Sequence, residues 1–314
     1  MPQIFYSDKY IESLPPENKG GQRVSGEFRE SSKNQPLLTV ATVVKNDPEN
    51  LSKTLHSVIS QTYRPLEFII IDGGCDEATR SFLHDFDDRI DLWISEPDSG
   101  IYEAMNKALK VARGEIINFM NAGDRFLDVN TVEKVMQMHN SGDLIYGGQY
   151  MDFGKAGDEK WREAFKKFGV MRPDLIDENG NCLVKWWDDR FKTRHLWQRM
   201  IFSHQSLFIR TNIARFYGFN TNNDIIADFE MIFRAYLAGF KFYNLGFPVS
   251  VIHYGGYSDK NIRKRTLQRW KFVRKHIKNF YLDSHYLLTY LGSFLPGPMT
   301  EAAKKVTNYF RFRH

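Results

Sequence analysis

Short apolar runs alternate with amphipathic helical patterns over residues 37–120. Four runs rich in β-branched and aromatic residues have the length of buried strands. They span residues 37–44, 66–72, 90–96 and 115–120. Between them, apolar residues recur at helical spacing, as at Leu51, Leu55 and Val58. This alternation predicts an α/β fold with a mainly parallel central sheet and helices on both of its faces.

Capping residues mark where these helices begin and end. Asp47 followed by Pro48 predicts the start of the first helix, and Asp76 predicts the start of the second. Gly114 follows the third helical pattern and fits the position just after a helix end.

The pattern changes in the flanking regions and in the second half of the chain. Residues 1–35 are polar and rich in Gly, Pro and Ser, which predicts an irregular extension, and residues 147–200 have a loop-like pattern. Strands are predicted at 203–210 and 249–256, with a helix between them that ends at Gly239. The chain is basic and aromatic from residue 260, and we expect a C-terminal helical extension there.

Composition narrows the class of protein. The 314 residues are 42% hydrophobic, enough for one large or two modest domains, and two cysteines without metal-ligand spacing predict neither a zinc site nor a disulfide framework. The net charge of +5 arises late, mainly over residues 263–278, which favours a solvated helix face or contact with an anionic membrane surface. No nucleic-acid partner is expected. Residues 1–22 show no secretory signal pattern and no apolar run is long enough to span a membrane, so we expect a cytoplasmic protein.

Polar side chains follow the predicted parallel strands, at the edge of the sheet where such folds bind ligands. Asp72 ends the second strand and is suited to bind a base or ribose, although it equally fits a turn before two glycines. The segment 98–100 (Asp-Ser-Gly) follows the third strand. The segment 121–124 (Asn-Ala-Gly-Asp) follows the fourth and fits either a Mg²⁺ or Mn²⁺ site or an ordinary Asx turn.

Five further polar positions in the second half are candidates. Asp228 precedes the amphipathic helix and fits either an N-cap or a general base, and Glu230 lies two residues later. His204 and Gln205 open a predicted strand, where they either contact sugar hydroxyls or complete a loop. His253 near the end of the last strand is suited to bind a metal or phosphate, or to be structural.

Residues 37–256 resemble a family 2 glycosyltransferase of the GT-A fold, similar to enzymes of bacterial surface-polysaccharide synthesis of the colanic-acid type. The most specific stretch is SEPDSGIYEAMNKALKVARGEIINFMNAGD, and TVVKNDPENLSKTLHSVISQ and EFIIIDGGCDEATRSFL are also typical. The resemblance implies three parts: an extension at 1–35, a catalytic domain at 36–256 and a basic aromatic tail at 257–314. It also divides the catalytic domain into a sugar-donor half, 36–150, and an acceptor half, 151–256.

The resemblance implies a role for each candidate residue. It assigns contacts with the donor nucleotide to seven residues, namely Thr42, Asn46, Asp72, Asp98, Gly100, Asn106 and Asn121. Asp124 would bind the metal ion, with His253 as an additional ligand, although Gly123 stands where the family commonly has a second Asp. Asp228 matches the family's catalytic base. Acceptor-side contacts are assigned to His204, Gln205 and Glu230.

The resemblance therefore implies an inverting glycosyltransferase that uses Mn²⁺ or Mg²⁺. The expected sugar donor is a nucleoside-diphosphate sugar, with a uridine nucleotide favoured by Asp72. The expected acceptor is a glycan, lipid-linked, at the inner face of the cytoplasmic membrane, with peripheral membrane contact through the tail.

Three other protein classes are alternatives to a glycosyltransferase. A dinucleotide-dependent oxidoreductase would need GxGxxG after the first strand, where the chain has VVKNDPEN without glycine. A nucleotidyltransferase would need a Gly-rich basic loop at the same place. A non-catalytic protein that binds sugar nucleotides or glycans stays open, because Gly123 replaces the second metal carboxylate.

Overall fold

The computed structural model of the protein describes residues 6–74, 76–188, 190, 192–278 and 280–294. Within these residues the chain forms eleven α-helices and eleven strands. The helices are α1 Tyr6–Ser13, α2 Pro48–Ile59, α3 Glu77–Asp85, α4 Ile101–Val111, α5 Thr131–Met136, α6 Glu159–Phe168, α7 Thr211–Tyr217, α8 Ala227–Leu237, α9 Tyr257–Lys260, α10 Ile262–His276 and α11 Phe280–Gly292. The strands are β1 Lys19–Gly20, β2 Leu38–Val44, β3 Leu66–Asp72, β4 Leu92–Ser95, β5 Ile116–Phe119, β6 Arg125–Phe126, β7 Leu144–Lys155, β8 Leu175–Ile176, β9 Asn181–Lys185, β10 Leu207–Arg210 and β11 Phe242–His253.

One mixed sheet holds all of these strands, in the order β1-β4-β3-β2-β5-β10-β7-β11-β6, with β9 also paired to β7 and β8 to β9. The four strands β2 to β5 are parallel, as the sequence predicts. Strand β10 runs antiparallel to both of its neighbours, β5 and β7, and β11 then runs parallel to β7. Parallel order therefore brings the carboxyl ends of β2 to β5 to one edge of the sheet.

Alternate residues of the central strands contribute to two different cores. On β2, Val40 packs into the core formed with α2, α3 and α5, whereas Ala41 packs into the core formed with α4, α7 and α8. Successive side chains of a strand point to opposite faces, so a strand covered on both faces is apolar throughout. The predicted α/β architecture, with helices on both faces, is confirmed.

Two predicted helix starts are confirmed and one predicted helix end is wrong. The Asp47 side chain accepts a hydrogen bond from the backbone N–H of Asn50 at 3.1 Å, and Asp76 accepts one from Thr79 at 3.0 Å. Gly114 does not close α4, since that helix ends with Ala112 as its C-cap. A Cβ at Gly114 would lie 2.5 Å from the backbone nitrogen of Thr39, so glycine is needed there for close approach of two backbones.

The N-terminal segment, predicted as a mostly irregular extension, contains two ordered elements, helix α1 and strand β1. Helix α1 packs on the core that contains α4, and β1 pairs with β4 at the edge of the sheet. Arg23 donates to Glu67 at 3.1 Å and to the carbonyl of Val111 at 2.8 Å, both in the protein interior. These long-range contacts fix the segment, and local sequence patterning gives no sign of them.

The region 147–200, predicted as loop-like, contains β9, α6 and most of the twelve-residue strand β7. Alternate residues of β7 from Tyr150 onward are only partly buried, so this strand lacks a continuous apolar pattern. The apolar residues of the region form a small separate core around Phe153 and Trp186. The strand predicted at 203–210 is shorter, because residues 204–206 form a 3₁₀ turn, and the last strand begins earlier, at Phe242.

The C-terminal extension is helical as far as it is described. Helices α10 and α11 pack against each other through Trp270 and Tyr286, whose rings are stacked with centroids 6.3 Å apart. The Tyr286 hydroxyl donates to the carbonyl of Trp197 at 2.7 Å, which ties α11 to the body of the protein. Residues 295–314 of the predicted tail lie outside the described residues. Among those described, no helix combines the length and apolar character needed to cross a membrane.

Candidate active site

The parallel strands bring the predicted acidic residues to one edge of the sheet. Asp72 is the last residue of β3, Asp98 follows β4 and Asp124 follows β5. From the other half of the sheet, β11 ends at His253, whose backbone N–H donates to Asp124. The structure therefore assembles side chains that lie far apart in the sequence into one polar edge.

Asp72 is a fully buried carboxylate with one oxygen unused. The Ser95 hydroxyl donates to its Oδ2 at 2.7 Å. Its Oδ1 has no hydrogen-bond partner among the described residues. Burial raises the pKa of Asp72 from 3.8 to about 6, although the Ser95 hydrogen bond opposes the shift. A buried acceptor without a donor is costly in a folded protein, and a bound N–H or O–H group would satisfy it.

The loop after β4 lies directly over the end of β3. The backbone N–H of Gly100 donates to Asp98 Oδ1 at 3.0 Å, and Gly100 has a φ of +141°. A Cβ on Gly73 would come within 2.4 Å of Asp98 Oδ2, so a larger residue there would displace the Asp98 carboxylate. Lys45 Nζ is 4.0 Å from Asp98 Oδ1 and adds a positive charge at this rim.

Asn46 belongs to the same rim. It has a φ of +53°, in the left-handed region, and its side-chain oxygen accepts a hydrogen bond from the backbone N–H of Asp76 at 3.2 Å. That bond links the loop after β2 to the loop after β3. Asn46 therefore shapes the rim beside Asp72.

Two residues assigned to donor contact have their side chains committed elsewhere. The Thr42 hydroxyl is buried and donates to the carbonyl of Met120 at 2.7 Å, tying β2 to the end of β5. The Asn106 amide donates to the carbonyl of Phe219 at 2.7 Å and accepts from its backbone N–H at 2.8 Å. Both side chains bind the scaffold, and their assignment to direct contact with a nucleotide stays a prediction.

Asp124 is held firmly at the end of the turn that follows β5. It is 6% exposed, and its two oxygens accept from Gln205 Nε2 at 2.7 Å and from the backbone N–H of His253 at 2.9 Å. Burial raises its pKa to about 6 against these hydrogen bonds. Gly123 has a φ of +95°, and its N–H contacts the Thr54 hydroxyl at 3.0 Å. The segment therefore forms a turn, one of its two predicted alternatives, and the metal-site alternative stays a prediction.

Asp124 could hold a divalent cation only if the phosphates of a bound nucleotide supplied further oxygen ligands. Among the described residues, no group of three or more His, Cys, Asp or Glu side chains could hold a metal ion. Magnesium is commonly held by one or two carboxylates together with substrate phosphates, and a single Asp124 suits that arrangement. The His253 ring does not complete a protein site here, since its Nε2 contacts Lys160 Nζ. Burial lowers the pKa of His253, and the nearby Lys160 lowers it further.

Asp228 is the second residue of α8, so the N-cap interpretation is wrong. Ile226 occupies the cap position and makes no side-chain cap. Asp228 Oδ1 accepts from the Tyr102 hydroxyl at 3.0 Å and from the N–H of Phe229 at 2.8 Å. Its Oδ2 is 3.0 Å from His204 Nδ1. Burial would raise the pKa of Asp228, but the hydrogen bonds from His204, Phe229 and Tyr102 outweigh it and lower the pKa. The carboxylate is therefore ionised at neutral pH and 16% exposed.

The residues assigned to the acceptor side have different partners. Glu230 is 2% exposed and is held by Asn220 Nδ2 at 3.0 Å and by Asn223. It therefore anchors the loop before α8. Gln205 positions Asp124, and His204 contacts Asp228 through its ring. All three side chains have protein partners, and their assignment to direct acceptor contact stays a prediction.

Sequence reasoning missed several contributors to the site. Tyr102 was assigned no role, because its place in a helical apolar pattern indicates a core residue, yet its hydroxyl reaches Asp228. Its ring stacks on Phe219 with centroids 5.7 Å apart. The sequence pattern around Ser95 and Lys160 does not indicate a place in the site either. The only available clue was that Tyr102 and Ser95 flank the polar loop after β4.

Comparison with known families adds to this geometry. The sequence profile described as "Glycosyl transferase family 2" matches residues 39–238. An uncharacterised glycosyltransferase of Mycobacterium tuberculosis is 28% identical over 205 residues, which are 64% of this chain and 70% of the relative. The Bacillus subtilis glycosyltransferase TuaG, whose name refers to teichuronic acid biosynthesis, is 34% identical over 95 residues, 29% of this chain and 38% of the relative.

Two solved structures share the fold. The mannosyltransferase PcManGT of Pyrobaculum calidifontis, in complex with GDP-Man and Mn²⁺, has a TM-score of 0.55 at 16% identity and covers 91% of this chain and 78% of its own. Residues 1–349 of S. aureus TarS, in complex with UDP-GlcNAc, have a TM-score of 0.54 at 13% identity and cover 81% of this chain and 71% of their own. These likenesses confirm the predicted GT-A fold.

Proposed function

The chain belongs to glycosyl transferase family 2 and is a glycosyltransferase, and on that premise we propose that it inverts the anomeric carbon of a nucleoside-diphosphate sugar during transfer to a glycan hydroxyl. One observation carries the proposal. Asp72 and Asp124 lie at one edge of the sheet, and a chain of side-chain hydrogen bonds connects the Asp124 turn to the ionised carboxylate of Asp228. The first two positions suit a nucleotide and its diphosphate, and the third suits a general base.

The proposed donor is a uridine-diphosphate sugar. The unused Oδ1 of buried Asp72 is an acceptor for the imide N–H of uracil or for a ribose hydroxyl. The loop carrying Asp98 and Gly100, together with Asn46, forms the adjacent rim against which the ribose would lie. The TarS structure contains UDP-GlcNAc, which supports a uridine donor. The PcManGT structure contains GDP-Man, so the identity of the donor's nucleobase needs a direct test.

A divalent cation, Mn²⁺ or Mg²⁺, is proposed at Asp124. When bound, such an ion would neutralise charge that develops on the leaving diphosphate. Gln205 and the His253 backbone hold the carboxylate in a fixed orientation for that purpose. The nearby Lys160 provides a second positive group close to the end of β11.

Asp228 is proposed to take the proton from the attacking acceptor hydroxyl. Its low pKa keeps it ionised, and 16% exposure leaves part of the carboxylate accessible. Base catalysis of this kind typically contributes about 10²–10⁴-fold to a rate. The oxygen that attacks the anomeric carbon comes from the side opposite the leaving nucleotide, so the product has the inverted configuration.

The proposed acceptor is a lipid-linked glycan used in surface polysaccharide synthesis, at the inner face of the cytoplasmic membrane. The relationship to TuaG supports the polysaccharide class. Helix α11 exposes Phe280 and Leu291, and α10 carries Arg274 nearby, with Lys278 just after it. Apolar side chains bordered by basic ones suit contact with an anionic lipid surface.

A screen of sugar nucleotides tests the proposed function. Thermal unfolding of the protein is measured with UDP-glucose, UDP-galactose, UDP-GlcNAc or GDP-mannose, each with and without Mn²⁺. In a separate assay, transfer of the sugar to a bacterial lipid extract is measured as the amount of nucleoside diphosphate released. A ligand at about 100 times its Kd should add roughly 2.7 kcal/mol to the free energy of unfolding. We expect one uridine donor to stabilise the protein and to be consumed. Binding without consumption would favour the non-catalytic alternative, and no binding by any nucleotide would refute both.

The membrane contact has its own test and matched control. Phe280 on α11 and Phe216 on α7 are both 80% exposed. We expect Phe280→Ser to weaken sedimentation with anionic phosphatidylglycerol vesicles, while Phe216→Ser leaves it unchanged. Equal behaviour of the two variants, or no binding by the parent protein, would contradict the proposed contact.

A further inference from the structure

A chain of hydrogen bonds joins the two ends of the site. Asn121 lies on the turn that carries Asp124, and its Nδ2 is 2.9 Å from His204 Nε2. The opposite ring nitrogen, His204 Nδ1, is 3.0 Å from Asp228 Oδ2. His204 is 14% exposed, so both of its nitrogens have protein partners in a mostly buried setting. Its ring is therefore committed to linking these residues.

With the Asn121 amide oriented as in the structure, the chemistry of the partners determines the form of the imidazole. An ionised carboxylate only accepts hydrogen bonds, so the proton must lie on Nδ1 of His204. The Asn121 amide nitrogen only donates, so Nε2 must be the acceptor and the ring is neutral. Rotating the amide would place Oδ1 against Nε2 and would require a second proton on the ring. The orientation of Asn121 and the charge of His204 are thus coupled.

We propose that His204 is a positioning residue for Asp228, and that Asn121 holds His204 in the neutral form whose Nδ1–H aims that carboxylate. This inference deepens the proposed function and rests on it for the role of Asp228 as base. Asn121 Oδ1 is buried without a partner among the described residues, so the amide is not fixed by its oxygen. The amide therefore contacts the ring of His204 through Nδ2.

The pH dependence follows from the groups around Asp228. Tyr102 on α4, His204 in the turn before β10 and Arg265 on α10 all face Asp228. Burial lowers the pKa of Arg265, and the nearby Asp228 opposes that decrease. The His204 hydrogen bond is one of the contacts that lower the Asp228 pKa. Its removal should therefore raise that pKa and move the acidic limb of the kcat/KM profile to higher pH.

Substitution at His204 separates positioning from a purely structural role. An asparagine side chain can place an amide N–H close to the position of Nδ1, whereas alanine cannot. A hydrogen bond to a charged group is worth about 1.5–3 kcal/mol, so we expect His204→Ala to lower kcat about 10- to 100-fold without changing donor Kd. His204→Asn should recover most of the loss. His139→Asn is the control, since His139 also uses Nδ1 in a hydrogen bond, to the carbonyl of Met136.

A measurement independent of turnover completes the test. Nitrogen NMR of histidine-labelled protein, with the His204 signal identified from its absence in His204→Asn, should show a neutral ring protonated at Nδ1 near pH 7.5. In Asn121→Ala that preference should weaken. A ring protonated at Nε2, or a charged ring, would overturn the inference whatever the activity. An unchanged pH profile of kcat/KM in an active His204→Ala variant would also overturn the inference. If the parent protein gave the expected NMR signal but transferred no sugar, only the proposed function would be refuted.

Discussion

Replacement of Asp72 by asparagine should stabilise the protein while weakening nucleotide binding. The carboxylate is fully buried and its Oδ1 is unpaired among the described residues. Burial raises its pKa from 3.8 to about 6. At roughly 1.36 kcal/mol for each pKa unit, keeping this group ionised costs the folded state about 3 kcal/mol above neutral pH.

The sign of the pH dependence follows from proton linkage. Because the folded-state pKa is the higher one, the folded protein binds the proton more tightly, and stability falls as pH rises from about 4 through about 6. About half of the cost is already present near pH 5, and all of it above about pH 7. The amide that replaces the carboxylate does not titrate. The stability advantage of Asp72→Asn should therefore be about 1.4 kcal/mol larger at pH 8 than at pH 5.

Urea unfolding of both proteins at about pH 5 and pH 8 measures this difference. Asp88→Asn is the matched control, because the Asp88 side chain is 78% exposed. The nucleotide Kd, measured by titration calorimetry with UDP, should rise about 10- to 100-fold in Asp72→Asn, since a hydrogen bond to a charged acceptor is lost. A stability difference independent of pH, or an unchanged UDP Kd, would refute the reasoning.

Three further changes test the geometry of the site. Gly73→Ala should cost about 1–3 kcal/mol of stability because its Cβ would meet Asp98, and adding Asp98→Ala should restore most of the loss in thermal unfolding. Asn106→Ala should cost about 1–3 kcal/mol by removing both bonds to Phe219 and should leave UDP affinity unchanged, as calorimetry would reveal. Glu230→Gln should keep a near-normal kcat in the transfer assay, and a collapse of kcat there would contradict its anchoring role.

Local sequence patterns were sufficient for the first half of the fold. Buried strands such as β3 are apolar throughout, and helix α2 carries a regular apolar stripe and a capping aspartate, so local rules agree there. The second half is different, since β7 has one partly exposed face and its pairing partners are remote in sequence. Helix α1 and strand β1 are fixed by contacts such as Arg23 with Glu67, which no local pattern reveals.

The positions of site residues were easier to predict than the directions of their side chains. Asp72 and Asp124 could be placed because a residue at the end of a parallel strand must lie at the sheet edge. Thr42 and Asn106 lie near that edge, but their hydrogen bonds to Met120 and Phe219 turn them toward the scaffold. Spacing along a sequence cannot distinguish these outcomes, because the partners come from distant segments. The tie between His204 and Asp228 arises in the same way.

The most direct test of the account is the transfer rate of Asp228→Asn under saturating donor and acceptor. The substitution keeps the size of a side chain that contacts Tyr102 and His204, but removes its capacity to take a proton. We predict that kcat falls about 10²–10⁴-fold while the Kd for the sugar nucleotide stays the same. A variant that transfers sugar at the rate of the parent protein would contradict the assignment of Asp228 as the base.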